Sequence, residues 1–118
     1  SHLARDAFEP APGADADLLH DIDLAILGAH PDRFTWFEND VRAEFKHVGA
    51  WRFAVGRGAF FDRLLASPRI YRTDVIHAAF EERARGNLAR ALAGRAYRPY
   101  RWSLRARRWA GAITGRAA

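Results

Sequence analysis

Cysteine and methionine are both absent from this 118-residue chain. The lack of cysteine excludes disulfides, thiolate metal ligands and cysteine nucleophiles together. It fits a reducing compartment, and a cytoplasmic location is expected. No apolar run approaches the roughly 18–20 residues that a membrane span requires, so no span is expected. The opening residues Ser1-His2-Leu3-Ala4-Arg5-Asp6 show no basic stretch followed by an apolar core, so they do not read as a signal peptide. With no Met, the start at Ser1 reads as a processed end or a fragment boundary. Serine is scarce, and none of Ser1, Ser67 and Ser103 lies in a G-x-S-x-G elbow. Gly56-Arg57-Gly58 by itself is not a phosphate loop. His2, His20, His30, His47 and His77 are scattered, with neither H-x₃-H nor H-E-x-x-H spacing. Lysine occurs once, at Lys46, and no acidic residue follows Glu82.

The charge present is therefore asymmetric. Residues 1–82 hold 14 acidic and 9 basic side chains, whereas residues 83–118 hold ten arginines and no acid. Such a basic segment is how a contact with nucleic acid or an acidic partner would look. The 49% hydrophobic content is enough for a core, and the length suits one small domain.

Apolar periodicity predicts helices and no strand, so the expected class is all-α: a bundle of about four helices with a basic C-terminal extension. Residues 1–14 read as a loop. A first helix is predicted over 15–29 from Leu18, Ile22 and Ile26, with Gly28 as a stop. Pro31 opens a second helix over 31–47, on Phe34, Phe37, Val41 and Phe45. A third runs over 50–66 and ends at Ser67-Pro68. Gly56 and Gly58 lie inside it, where close packing of another backbone is the expected reason. Thr73 reads as the N-cap of a fourth helix over 74–93, built on Ile76, Phe80, Ala84, Leu88 and Leu92, with Gly94 beyond its end. Residues 1–93 thus form one helical unit, and 94–118 form an Arg/aromatic extension with a short helix over 101–112. Pro99 is expected to interrupt any helix running on from residue 94.

One segment carries candidate chemistry: Asp21-Ile22-Asp23-Leu24-Ala25-Ile26-Leu27-Gly28. It is followed in order by Val41-Arg42-Ala43-Glu44-Phe45, Gly56-Arg57, Ile70-Tyr71-Arg72-Thr73 and Ala84-Arg85-Gly86-Asn87-Leu88. The series over about residues 15–93 resembles the C-terminal half of predicted metal-dependent phosphohydrolases of the HD superfamily, which share a D-x-D-L-A-I-L-G motif. That resemblance implies a divalent metal held by a His, an adjacent His-Asp pair and a later Asp on a helix. The metal would lower the pKa of a bound water and polarise a phosphoester. The later Asp falls on Asp23, with Asp21 as the alternative. Residues i and i+2 lie about 200° apart on a helix, so only one of the two can face a site.

The sequence departs from the family in lacking the earlier ligands. His20-Asp21 adjoins the final Asp instead of preceding it on another helix. The first His and the His-Asp pair would lie before Ser1. The expected function is accordingly a partial phosphohydrolase unit, inactive alone and binding no metal alone, that pairs with a missing N-terminal segment or with itself. His20 with Asp23 at i, i+3 is a weaker metal candidate. Arg42 and Arg57 are candidates to face a phosphate; the competing expectation is a surface ion pair of Arg42 with Glu38. Asn87 is expected to be buried and bonded to backbone. The alternative function, from a different class, is a small basic interaction module. It would bind nucleic acid or an acidic protein through residues 83–118, with Arg98, Arg101, Arg105 and Arg108 as contacts.

Overall fold

In the computed structural model, which describes residues 13–114, the chain is helical nearly throughout, with no strand among those residues. Helix α1 spans Ala14–Leu24 and tightens into a 3-10 turn over Ala25–Gly28. Helix α2 spans Pro31–Glu44, α3 Ala50–Ala66 and α4 Asp74–Ala93. A second 3-10 turn, Arg95–Tyr97, leads into α5, Arg98–Thr114. The all-α class is as expected, and the basic extension is itself a helix.

Departures from the predicted boundaries have local causes. The first helix stops being regular at Leu24. The Tyr71 hydroxyl donates to the Leu24 carbonyl over 2.7 Å, an acceptor that a continuing α-helix would offer to Gly28. Gly28 packs directly on α4: a Cβ there would lie 2.7 Å from the Phe80 Cβ. Helix α2 ends at Glu44 and not at 47, and Arg42 Nη1 donates to the carbonyls of Phe45 and Val48, each over 3.1 Å. Pro99 does not confine the last helix to 101–112. It falls in the first turn of α5, where its missing N–H would have no intrahelical partner anyway.

The core joins Leu27, Phe34, Ala54, Phe61, Ile70, Tyr71, Ala84, Leu88 and Tyr97. It draws on every element except α1 and α5, with Leu24 and Ile26 of the first segment packed against it. Tyr100 at the start of α5 is also buried. The two glycines of α3 differ from expectation. At Gly58 the close neighbour is the Tyr100 side chain, 2.5 Å from where a Cβ would sit. Gly56 meets nothing within 4 Å, so no close approach explains it.

Candidate functional site

The Asp21 and Ile70–Thr73 motifs meet at the extended segment between α3 and α4, whereas Arg42 and Arg57 lie elsewhere. Four consecutive backbone amides there, residues 70–73, are bound by two buried carboxylates. Glu81 of α4 accepts from Ile70 N (3.1 and 3.0 Å) and Tyr71 N (3.1 Å). Asp21 of α1 accepts from Arg72 N (2.8 Å) and Thr73 N (2.6 Å). An ionised carboxylate is acceptor-only, so two such groups suit a run of donors. Burial pushes the Asp21 carboxyl up, but the amides of Arg72 and Thr73 outweigh it and hold the group below its ordinary value. At Glu81 burial likewise acts upward and is overcome by the Ile70 and Tyr71 amides and by Arg85. Arg85 Nε donates to Glu81 over 2.8 Å, and its other nitrogens reach the carbonyls of Leu65 and Ser67. Thr73 occupies the N-cap of α4 without a side-chain capping bond. Asp21, from another helix, takes the amide just before that end.

These bonds decide what Asp21 and Asp23 are free to do. Asp21 is fully buried, with both oxygens engaged by backbone. Asp23 is exposed on α1. Its neighbours at i−4 and i−1 are Leu19 and Ile22, which are 61% and 57% exposed. Leu18, at 45%, adds to the same uncovered apolar surface. His20 does not join Asp23 as a ligand pair, because its Nε2 donates to the Ile70 carbonyl over 3.0 Å. Among the described residues no group of three or more His, Cys, Asp or Glu could hold a metal ion. The donors of these residues alone therefore do not fit a catalytic divalent ion.

Arg57 and Arg42 are both partly engaged within the fold. Arg57 pairs with Glu38 at 2.5 Å, and Glu38 also accepts the Tyr97 hydroxyl at 2.7 Å. The partner of Glu38 is thus Arg57 and not Arg42. Burial, then the bond to Glu38, pushes the Tyr97 hydroxyl well above the usual tyrosine value. Arg42 caps the end of α2 and lies 4.8 Å over the Phe53 ring. Asn87 is buried as expected, its Nδ2 donating to the carbonyls of Leu27 (2.9 Å) and Ala29 (2.8 Å).

The four arginines of the extension that were candidate contacts divide. Arg101 donates to the carbonyls of Leu92 (2.5 Å) and Gly94 (2.7 Å), closing the C-terminal end of α4. Gly94 itself is extended, with φ −78° and ψ 171°, so the left-handed glycine cap does not form. Arg98, Arg105 and Arg108 are exposed. Trp102 and Trp109 are exposed too, at 57% and 70%, whereas Tyr97 and Tyr100 are buried.

Glu81 is the residue that sequence reasoning missed. A signal existed: Glu81 precedes Ala84 by three and Leu88 by seven, which puts it on the apolar face of α4, while the adjacent Glu82 falls outside that face. Arg85 at i+4 is the matching cation. No family model, curated protein or solved structure matches the chain.

Proposed function

We propose that this chain is a partial HD-type metal-dependent phosphohydrolase unit, contributing Asp23 to a metal site whose remaining ligands come from a segment outside residues 13–114. The observation that carries the reading is the setting of Asp23. It is an exposed carboxylate flanked by Leu19 and Ile22 on a helix face that none of the described residues covers. Apolar side chains at helical spacing in water call for a covering element. An element that covered them would bring its own side chains to Asp23. Asp21, the alternative ligand, already has two backbone donors, which supports Asp23 over it. A divalent metal, when bound, would supply Lewis acidity and an activated water. The chain's own part is one carboxylate and the helix that presents it.

The test begins with the coding sequence just before Ser1, which should encode a His and a His-Asp pair. The extended protein should bind a divalent ion and hydrolyse bis-p-nitrophenyl phosphate, while the 118-residue chain does neither. Asp23→Asn in the extended protein should weaken metal binding by at least the roughly tenfold to hundredfold that changes to supporting residues cost. Turnover by the short chain alone, or unchanged metal affinity in the variant, refutes the assignment.

A second reading rests on α5. From Arg105 to Trp109 every residue is exposed. Arg98, Trp102, Arg105 and Trp109 follow one another at spacings of four, three and four, which makes one stripe of cations and rings. Such a stripe suits single-stranded nucleic acid, with rings for stacking and arginines for phosphate. A salt titration against labelled single-stranded DNA should give a log–log slope of about −2 if three phosphates are neutralised. A flat slope eliminates this reading.

A further inference from the structure

A groove lies on the other elements and includes no residue of α1. It is bounded by α2, the start of α3, the end of α4 and the Arg95–Tyr97 turn, and encloses about 510 Å³. That volume falls within the roughly 300–1,000 Å³ of small-molecule clefts. Phe34, Phe53 and Tyr97 supply apolar wall. Three arginines border it, Arg42, Arg90 and Arg95. The only acid in the lining is Glu38, whose charge is answered by Arg57 at 2.5 Å and whose second oxygen takes the Tyr97 hydroxyl. The groove is therefore apolar inside, cationic at its border and without an unopposed negative charge.

The arginines are unequally committed. Arg42 uses Nη1 on the Phe45 and Val48 carbonyls. Arg90 uses Nη2 on the Asn87 Oδ1. These bonds fix both guanidinium groups while leaving further N–H donors on each, since the group carries five. Arg95 is exposed, and its side chain has no hydrogen bond or ion pair among the described residues. Two held cations and one free one beside an aromatic wall match a ligand with an apolar body and an anionic head. A neutral apolar ligand would leave the arginines unanswered, and a wholly polar anion would leave the rings uncovered.

We propose that this groove binds a small amphiphilic anion, an aryl or medium-chain alkyl body with a carboxylate or phosphate head, placed against Arg42, Arg90 and Arg95. The site is independent of Asp23 and of any metal. The probe is 1-anilinonaphthalene-8-sulfonate, titrated into the 118-residue protein and followed by fluorescence, then competed with octanoate, octyl phosphate and octanol. The expected result is saturable binding of one dye per chain, displaced by octanoate or octyl phosphate about tenfold better than by octanol, as loss of one charge-assisted contact would give. The better of the two anions identifies the head group. Arg95→Glu should weaken the dye and its anionic competitors about tenfold, and Ala96→Trp should block the groove. Both positions are exposed, so circular dichroism should be unchanged. Trp109→Ala should leave binding intact. Equal displacement by octanol, the absence of saturable binding, or loss in Trp109→Ala with Arg95→Glu unaffected overturns the proposal.

Discussion

At the scale of single residues, two aspartates two positions apart have opposite settings. Asp21 is fully buried and binds two amides, and Asp23 lies in water. Asp21→Asn replaces an acceptor-only group with one that presents N–H toward another N–H, and it removes the charge from both bonds. The expected loss is about 2–4 kcal/mol, the cost of leaving a buried donor unmatched together with weakened bonds. That is a large share of the roughly 5–15 kcal/mol available to a typical domain. Asp23→Asn should change stability by no more than about 0.5 kcal/mol, as exposed substitutions do. Urea denaturation of the two variants checks both, and equal losses would contradict the assigned roles. The sequence marked both aspartates through the motif. It ranked Asp23 above Asp21 only through the resemblance and could not show which one is buried, because that depends on which amides, fifty residues away, meet which face of α1.

At the scale of elements, α3 offers a paired comparison. Gly56 and Gly58 both sit within a helix, where glycine costs up to about 1 kcal/mol against alanine. Gly56→Ala should therefore stabilise the protein by up to about 1 kcal/mol, since a Cβ there meets nothing. Gly58→Ala should destabilise it by about 1–3 kcal/mol, because the new carbon would drive Tyr100 off α3. The displaced ring would also strain the Tyr100 hydroxyl's 2.6 Å bond to Asp62. Thermal melts followed at 222 nm should move in opposite directions for the two. Helix positions were legible from apolar spacing: α3 and α4 fall on the predicted residues. The ends of α1 and α2 were less so, because Tyr71 reaches the Leu24 carbonyl from a segment far along the chain and Arg42, in the last turn of α2, reaches the Phe45 and Val48 carbonyls.

At the scale of the whole molecule, polar groups tie together the elements that meet in the apolar core and attach α1 to them. Asp21 and His20 hold α1 to the 70–73 segment, Glu81 holds that segment to α4, and the Glu38–Arg57–Tyr97 set ties α2, α3 and the second 3-10 turn. This gives stability a definite pH dependence. Asp21 and Glu81 are both held below their ordinary values. Their contribution is therefore complete above the unfolded carboxylate pKa of about 4 and is lost as pH falls through the lower folded values. Unfolding midpoints in urea should be flat from about pH 7 to 5 and fall below about pH 4. Asp21→Asn should flatten part of that fall. Among the described residues no helix is long and apolar enough to cross a membrane.

The sequence by itself determined the all-α class, the registers of α3 and α4, the burial of Asn87 and the concentration of arginine after residue 82. Each follows from spacing or composition along the chain, which local physics reads directly. Tertiary structure decided the rest. It made Asp21 a structural carboxylate and left Asp23 exposed, paired Glu38 with Arg57, buried two tyrosines of the extension while exposing two tryptophans, and opened the arginine-bordered groove. The physical reason is the same in each case. A carboxylate or guanidinium takes its role from donors and acceptors that only the folded chain brings within hydrogen-bonding distance.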